Sequence, residues 1–313
     1  MTSIFKKIGR LPQHIRSQGF GRVGVYFAVK AGIPVGLARP VVRFLKICMH
    51  PIEFLRRRSI GDLRRHIGVR IPHGADYLVN PPLPGKEALV AHCRQLLERK
   101  RSNLTFAVPY TFVTTISSQN GIQRVDAPDE MKPIIDFACQ PEVAGIVADY
   151  MGEIPVLSVI SLIYTPINSS MLGPQKFHRD MNCASQVHLI INIDDVDEET
   201  GPFTFLSGQQ SSSIIKATGH ADGRVSDDAI RARIDDSDLI KCVGPTGTAF
   251  FVNPYACFHF GARAHAKPRY ILILNYTSKF EWGEGLGSIY RSANRHLFAD
   301  GTRLRQRLLA LPS

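Results

Sequence analysis

Residues 187–206 read VHLIINIDDVDEETGPFTFL, and this stretch decides the fold class of the chain. Two short apolar runs, Val187–Ile193 and Pro202–Leu206, flank the acidic turn Asp195–Gly201. Short runs of apolar, β-branched and aromatic residues between turn residues are typical of strands in antiparallel sandwiches and barrels. The sequence therefore predicts an antiparallel β core. Further runs of this kind are Thr105–Ile116, Val156–Thr165, Thr248–Val252 and Tyr270–Tyr276.

Helical patterns surround this β region, which gives an α+β fold class. Apolar residues recur at helical spacing in several segments, and Gly152 is suited to end one of them. Residues 211–239 are polar and charged, and we interpret them as an insertion or lid. The predicted helices are Lys86–Arg101, Asp129–Cys139, Pro141–Met151 and a short basic one at Gly301–Leu311.

Three features bear on the cellular compartment. The six cysteines are scattered without a CxxC pair, which argues against a disulfide framework or zinc knuckle and fits a reducing compartment. The longest charge-free run in the apolar stretch 23–49 is Ala31–Ala38, far too short to span a bilayer. No apolar region or cleavage site follows the basic residues near the N-terminus, so no secretory signal is predicted. We expect a cytoplasmic protein.

A candidate metal site begins at the triplet His178-Arg179-Asp180. On an extended strand, His178 and Asp180 project to the same face while Arg179 points away. His259 follows the run Thr248–Val252, and Arg269 opens the next run. Two imidazoles and one carboxylate form the facial triad that binds Fe(II) and leaves positions open. Arg269 would supply the planar charged fork that a carboxylate co-substrate needs.

The motifs around these residues resemble the phytanoyl-CoA dioxygenase-like family of Fe(II)/2-oxoglutarate oxygenases. The resemblance covers approximately residues 130–280. It implies a double-stranded β-helix, or jelly roll, with helices packed outside. We accordingly expect a basic, largely helical extension at 1–104, a jelly-roll oxygenase domain at 105–290 and a C-terminal helical segment at 291–313. The matching segments are KFHRD (176–180), IDDVDEETGP (193–202), GTAFF (247–251) and FHFG (258–261) through Pro268-Arg269.

The resemblance also implies roles for individual residues. His178, Asp180 and His259 would be the iron ligands, and Arg269 would bind the far carboxylate of 2-oxoglutarate. With O₂ as the third reactant, the family's chemistry converts 2-oxoglutarate to succinate and CO₂ while a C–H bond is oxidised. The carboxylate of Asp180 favours hydroxylation, because related halogenases have a small residue there.

The chain departs from the family pattern in two places. Residues 206–210 read LSGQQ where the family usually has Pro-Gly-Ser-His, and Thr248 replaces a common Asp. Neither change touches the metal ligands, but both bear on the rim of the pocket. The motifs do not identify the prime substrate, and we expect a small-molecule or lipid-like one.

Several secondary residues have alternative interpretations. His188 and Asn192 share one face of a predicted strand. In one interpretation they line the pocket and Asn192 contacts the co-substrate. In the other they are hydrogen-bonded core residues. Arg263, His265 and Lys267 form either a solvated basic loop or, less favoured, a contact for an anionic substrate.

The net charge of +11 is concentrated at the front of the chain. Residues 1–101 contain 20 Lys and Arg against 5 Asp and Glu, whereas residues 102–313 contain 18 against 22. The default interpretation is a solvated helical surface. The next is peripheral contact with an anionic membrane, since basic and apolar residues alternate between Arg39 and Ile67. A phosphorylated substrate is the third alternative. Nucleic acid is not expected, because no recognised motif or aromatic platform accompanies the charge.

The sequence thus leads to two hypotheses from different classes. The first is a non-haem Fe(II)/2-oxoglutarate-dependent dioxygenase that hydroxylates its substrate. The second is a catalytically silent jelly-roll binding protein, held at a membrane surface by its basic front. The intact set of three ligands and one arginine favours the enzyme.

Overall fold

The computed structural model describes residues 35–106, 109–117, 128–181, 183–219, 225–264, 266–281 and 302–309. In these ranges the chain forms two antiparallel sheets flanked by helices. The large sheet has the strand order β1-β7-β4-β9-β3-β2, and the small sheet has the order β6-β5-β8. The strands are β1 Tyr77–Val79, β2 Thr111–Ser117, β3 Val156–Thr165, β4 Gln186–Asn192, β5 Thr204–Phe205, β6 Ile240–Lys241, β7 Ala249–Val252, β8 His259–Phe260 and β9 Arg269–Thr277.

The α-helices lie before, between and after the strands. Predicted helices at 86–101, 129–139 and 141–151 are confirmed with small shifts of their ends, and Gly152 ends the third in the left-handed conformation. None of the helices in the described part of the chain is long and apolar enough to cross a membrane. They are α1 Val35–Met49, α2 Pro51–Arg58, α3 Gly61–Arg64, α4 Lys86–Lys100, α5 Pro128–Ala138, α6 Pro141–Met151, α7 Gly208–Thr218, α8 Asp227–Arg231 and α9 Arg303–Leu308.

Strand β9 shows how side-chain alternation builds the layers. Tyr270, Leu272, Leu274 and Tyr276 belong to the core between the large sheet and helices α4, α5 and α6. The intervening Ile271 and Ile273 belong to a second core, shared with residues of β5. Successive side chains of a strand point to opposite faces, so Arg269 and Asn275 lie on the face that looks toward the small sheet.

The core between the two sheets is small and aromatic. It contains Ile190 of β4, Phe205 of β5, Phe250 of β7 and Ile271 of β9. Along the chain, β4 and β7 belong to the large sheet, whereas β5, β6 and β8 belong to the small sheet. The connections therefore pass from one sheet to the other, and the inner faces of both sheets line one interior.

The insertion predicted at 211–239 is packed against the small sheet. Ile214 of α7 and Ile230 of α8 are buried in a cluster with Phe177, Phe258 and Phe260. Helices α7 and α8 thus cover the outer face of β8. The described residues of this segment form a wall of the domain, which favours the interpretation as an insertion.

Strand β2 begins later than predicted. The sequence indicated a strand from Thr105, but the structure begins it at Thr111. Pro109 has no N–H to donate to a ladder and is poorly tolerated inside a strand, which accounts for the difference.

Part of the predicted extension 1–104 is built into the β core. Strand β1 pairs with β7, and Leu89, Cys93 and Leu96 of α4 are buried in the core against the large sheet. The limits at 104 and 290 stay predictions.

Candidate metal centre

The small sheet brings His178 and His259 side by side. The two residues form an antiparallel β-bridge with backbone hydrogen bonds of 2.9 Å in both directions. Asp180 is held two residues later, where its N–H donates to the Pro254 carbonyl at 2.9 Å. The backbone at His178 is therefore extended as predicted, and this brings His178 and Asp180 to one site.

The three predicted ligands converge on one point. Their donor atoms all lie within 4.8 Å of one another. Nε2 of His178 is 3.8 Å from Oδ1 of Asp180, and Nε2 of His259 is 3.9 Å from the same oxygen. These separations are too long for hydrogen bonds but less than twice a metal–ligand bond of about 2.0–2.2 Å. The donors therefore leave a gap that a transition-metal ion fits.

Hydrogen bonds fix the tautomers of both histidines. Nδ1 of His178 donates to the Lys176 carbonyl at 2.8 Å, and Nδ1 of His259 donates to the Cys257 carbonyl at 3.0 Å. Because a carbonyl oxygen can only accept, each Nδ1 carries the proton and each Nε2 keeps its lone pair for the metal. Phe203 stacks on His259 with ring centroids 5.1 Å apart, which holds the orientation of that ring.

Burial keeps His259 in the form that binds metal. It lowers the pKa of His259 to about 3, helped by the charges of nearby His178 and Arg179 and opposed by the hydrogen bond to Cys257. The imidazole is therefore neutral at physiological pH, as a metal ligand must be.

Arg179 points away from the gap, as the alternation predicted. Its Nε donates to the Tyr255 carbonyl, and its guanidinium lies 4.7 Å from the centre of the Tyr255 ring. This arginine belongs to the wall of the site.

Arg269 is buried on the inner face with unused hydrogen-bond donors. Its residue surface is 4% exposed, and Nη2 donates to Thr165 Oγ1 at 3.3 Å. Nε and Nη1 are buried without a hydrogen-bond partner. Burial lowers the pKa of Arg269 to about 10. A buried guanidinium with two free donors is costly unless an anion binds to it.

Gly261 connects this arginine with the metal ligands. It follows His259 by two residues, and a Cβ built on it would lie 3.8 Å from both Nη1 and Nη2 of Arg269. The guanidinium thus lies beside the end of β8. The donor set of the gap and the unpaired arginine together fit a metal ion and a carboxylate ligand.

His188 adds a third imidazole to this region. Its Nε2 is 3.7 Å from Oδ2 of Asp180, and its Nδ1 is buried without a hydrogen-bond partner. Burial lowers the pKa of His188 to about 4, opposed by Asp180. Its cross-strand neighbour Asn275 has a buried Oδ1 that also lacks a partner. Of the two alternatives for His188, these contacts favour a residue that lines the pocket.

Asn192 lies on the same inner face but uses its amide differently. It is 1% exposed, and Nδ2 donates to the Cys242 carbonyl at 3.3 Å. This bond ties β4 to the residue after β6. The predicted contact of Asn192 with a co-substrate stays a prediction.

The basic residues after His259 are engaged by the protein. Arg263 lies 3.5 Å above the Phe260 ring and forms an ion pair with Asp227 at 2.8 Å. Lys267 forms ion pairs with Asp197 and Glu199. Both therefore stabilise the surface, and the alternative of an anionic substrate finds no free cation in these two residues. His265 lies outside the described residues.

Sequence reasoning missed Thr165, Asn275, Phe203 and Gly261 as parts of this site. Their residue types are common in any strand or turn, so only strand register and chain path reveal them.

No protein-family model matches the sequence, and no curated protein matches it. Among solved structures, EctD from S. alaskensis, crystallised with 2-oxoglutarate and 5-hydroxyectoine, is similar with a TM-score of 0.45 and 12% identity over 67% of this chain and 75% of that chain. HygX from Streptomyces hygroscopicus, crystallised with nickel and 2-oxoglutarate, has a TM-score of 0.43 and 16% sequence identity to this chain. The match covers 66% of this chain and 84% of HygX. SnoK, a non-heme alpha-ketoglutarate-dependent carbocyclase from nogalamycin biosynthesis, has a TM-score of 0.43 and 16% sequence identity to this chain. The match covers 74% of this chain and 90% of SnoK. TM-scores and sequence identities this low do not show that this chain shares the family, the activity or the ligands of these proteins.

Proposed function

We propose that this protein is a non-haem Fe(II)/2-oxoglutarate-dependent dioxygenase that hydroxylates a C–H bond of a small-molecule or lipid-like substrate. The observation that carries the proposal is the buried Arg269, which keeps Nε and Nη1 unpaired beside the strand that bears His259. A buried cation next to a preformed set of metal ligands fits a co-substrate that binds both a metal and a cation. 2-Oxoglutarate has this chemistry, with a ketoacid group at one end and a carboxylate at the other.

His178, Asp180 and His259 would hold the iron. The Nε2 atoms of the two histidines and the carboxylate oxygens of Asp180 suit a divalent cation, and three protein ligands leave positions for small molecules. Bound Fe(II) would couple the conversion of 2-oxoglutarate and O₂ to succinate and CO₂ with insertion of the second oxygen atom into the C–H bond. Asp180 supplies the third protein ligand, which favours hydroxylation.

The remaining residues would position the reactants. Arg269 would bind the far carboxylate of 2-oxoglutarate through Nε and Nη1, while Thr165 holds Nη2 in place. Asn192 would lie further along the same inner face, near the co-substrate. His188 and Asn275, each with a buried unpaired atom, would contact the prime substrate or the free oxygen of Asp180.

The proposed fold is a double-stranded β-helix. The alternation of strands between the two sheets supports it, as does the position of the ligands on the small sheet and of Arg269 on the large sheet. Assignment to the phytanoyl-CoA dioxygenase-like family rests on the sequence motifs, among which the ligand order is the most specific.

A test is anaerobic addition of Fe(II) and then 2-oxoglutarate to the full chain. A weak visible charge-transfer band should develop only when both are present. The His259→Ala protein is the matched control and should give no band. Absence of the band with folded wild-type protein would refute the proposal. The alternative of a silent binding protein predicts no succinate with any substrate, so a screen of small molecules and lipids for stimulated succinate release separates the two.

A further inference from the structure

Helices α1 and α2 expose an unusual number of large apolar side chains. On α1 they recur three to four residues apart, and α2 follows α1 with only His50 between the two helices. Their spacing matches one face of an amphipathic helix. The set, called the apolar stripe below, consists of Val41 (58% exposed), Phe44 (65%), Leu45 (46%), Met49 (52%), Ile52 (64%) and Leu55 (67%).

The rest of the described surface has no comparable concentration. Seven other large apolar side chains are exposed, and they are spread over several loops and strands between residues 79 and 243. Single exposed apolar residues are normal, whereas a contiguous exposed patch marks an interaction surface.

Contacts on the opposite side fix the stripe toward solvent. Arg43 forms an ion pair with Glu281 at 2.6 Å, and Phe54 packs edge-on against Phe280 with centroids 5.4 Å apart. Arg57 is fully buried and donates to the carbonyls of Ile154 and Arg307 at 2.9 and 2.8 Å. Because these contacts occupy the inner side of α1 and α2, a rotation that buries the stripe would break them.

Cationic residues accompany the stripe. Residues 35–67 contain eight Lys and Arg against two Asp and Glu. Arg56 and Arg58 are exposed, and neither forms an ion pair with a carboxylate in the part of the chain that the structure describes. An exposed apolar face with unpaired arginines beside it is the pattern of a helix that lies in the interface of an anionic bilayer.

We propose that α1 and α2 dock this protein on an anionic lipid membrane, with the apolar stripe in the headgroup region and Arg56 and Arg58 on lipid phosphates. A second copy of the chain is a poorer occupant. A two-fold interface through the stripe would bring two sets of like charges together.

Helix α1, which carries much of the apolar stripe, contacts the wall of the candidate metal centre with its inner side. Arg39 of α1 lies 5.3 Å from the centre of the Tyr255 ring, on which Arg179 also lies. Arg179 stands between the ligands His178 and Asp180. A docked protein would therefore hold this segment close to the bilayer, which favours a lipid-like substrate. That last step rests on the proposed function, whereas docking is measured without turnover, so the two can fail separately.

The test is co-sedimentation of the full chain with vesicles. Wild-type protein should bind phosphatidylcholine vesicles in which about a third of the lipid is phosphatidylserine, and binding should weaken as salt is raised. Pure phosphatidylcholine should bind much less. The Phe44→Glu/Leu55→Glu protein should bind at least tenfold more weakly. Ile167→Glu, at an equally exposed apolar residue outside the stripe (59%), is the matched control and should bind normally.

A second variant keeps the proposal falsifiable if the double glutamate substitution impairs folding. Arg56→Ser/Arg58→Ser changes only exposed side chains and should reduce binding to phosphatidylserine vesicles, with an unchanged circular dichroism spectrum. Three results would overturn the proposal. They are no vesicle binding by the wild type, binding that both variants retain, and a stable wild-type dimer that the Phe44→Glu/Leu55→Glu substitutions dissociate.

Discussion

Replacing Arg269 with methionine should change stability and ligand binding in opposite directions. Arg269 is 4% exposed, and its guanidinium makes one hydrogen bond, to Thr165. Burial lowers its pKa from the ordinary value to about 10, which corresponds to about 3 kcal/mol of lost stability at about 1.4 kcal/mol per tenfold change in proton affinity. Methionine removes this cost and keeps much of the volume. Without ligand, the variant should be more stable by up to about 3 kcal/mol, or a few degrees in Tm.

The same substitution should nearly abolish binding of 2-oxoglutarate. Nε and Nη1 are the two unpaired donors, and a hydrogen bond to a charged group contributes about 1.5–3 kcal/mol. Losing two of them weakens binding by about 3–6 kcal/mol, which is at least a hundredfold in Kd. Titrating 2-oxoglutarate into the anaerobic Fe(II) protein while following the charge-transfer band measures this change. Thermal unfolding of the metal-free protein measures the stability.

Arg263→Met is the matched control. Arg263 is a half-buried arginine that also lies near β8, but it has an ion pair with Asp227 and lies on the Phe260 ring. The control should be less stable than wild type and bind 2-oxoglutarate equally well. A loss of stability in Arg269→Met with an unchanged affinity for 2-oxoglutarate would refute the proposed role of Arg269, because Arg269 would then be a structural residue.

Three further predictions concern the proposed metal ligands and their neighbours. Asp180→Ala or His259→Ala should abolish metal-dependent turnover. Asp180→Ala should also keep the fold, since the Asp180 carboxylate comes no closer than 3.7 Å to the imidazoles around it. Metal content and circular dichroism check this prediction, and retained turnover would contradict it. His188→Leu should leave the metal-free protein at least as stable as the wild type, because Nδ1 of His188 is buried without a hydrogen-bond partner. Turnover should fall in this variant. A large loss of stability, measured by unfolding in urea, would identify His188 as a core residue instead. The metal-free protein should lose about 4 kcal/mol of stability between pH 7 and pH 5. The pKa values of His259 and His188 are lowered to about 3 and about 4 from 6.5, so their contribution is complete above pH 6.5 and is lost as the pH falls toward 4. Urea titrations at each pH should show about half of this loss in His188→Leu, and an unchanged loss would show that other groups cause it.

The convergence of His178 and Asp180 on one site could be predicted because their geometry is local. Two residues of a strand separated by one share a face whatever the rest of the fold does, so His178 and Asp180 needed only an extended backbone. The β-bridge to His259 was different. It requires the chain to return across a whole sheet, and only the order of the motifs indicated it.

The polar residues around the ligands could not be predicted because they depend on register. Thr165 reaches Arg269 because β3 pairs with β9 in the register that sets these two residues opposite each other. Asn275 faces His188 for the same reason in the pairing of β4 with β9. A shift by one residue would turn each side chain to the other face, and nothing in the residue types fixes that register.

The start of helix α7 has a local sequence signal that is independent of the family motifs. Residues 206–210 depart from the Pro-Gly-Ser-His pattern, which predicts an effect at the pocket rim. In the structure, Ser207 accepts from the N–H of Gln210, whose side chain accepts from the N–H of Ser207. This capping box starts the helix, and serine followed three residues later by glutamine before an apolar pair is its sequence signature.

The division of the site between two sheets explains why its parts must be kept together. The small sheet carries His178 and His259, whereas the large sheet carries Arg269 and His188. Without a ligand, both parts of the site are unfavourable. Arg269 is a buried cation with unpaired donors, and the imidazoles and Asp180 enclose a gap without hydrogen bonds across it. A ligand that binds to the metal at one end and to Arg269 at the other would bridge the sheets and relieve both costs. Binding of metal and 2-oxoglutarate should therefore stabilise the fold together by more than the sum of their separate effects.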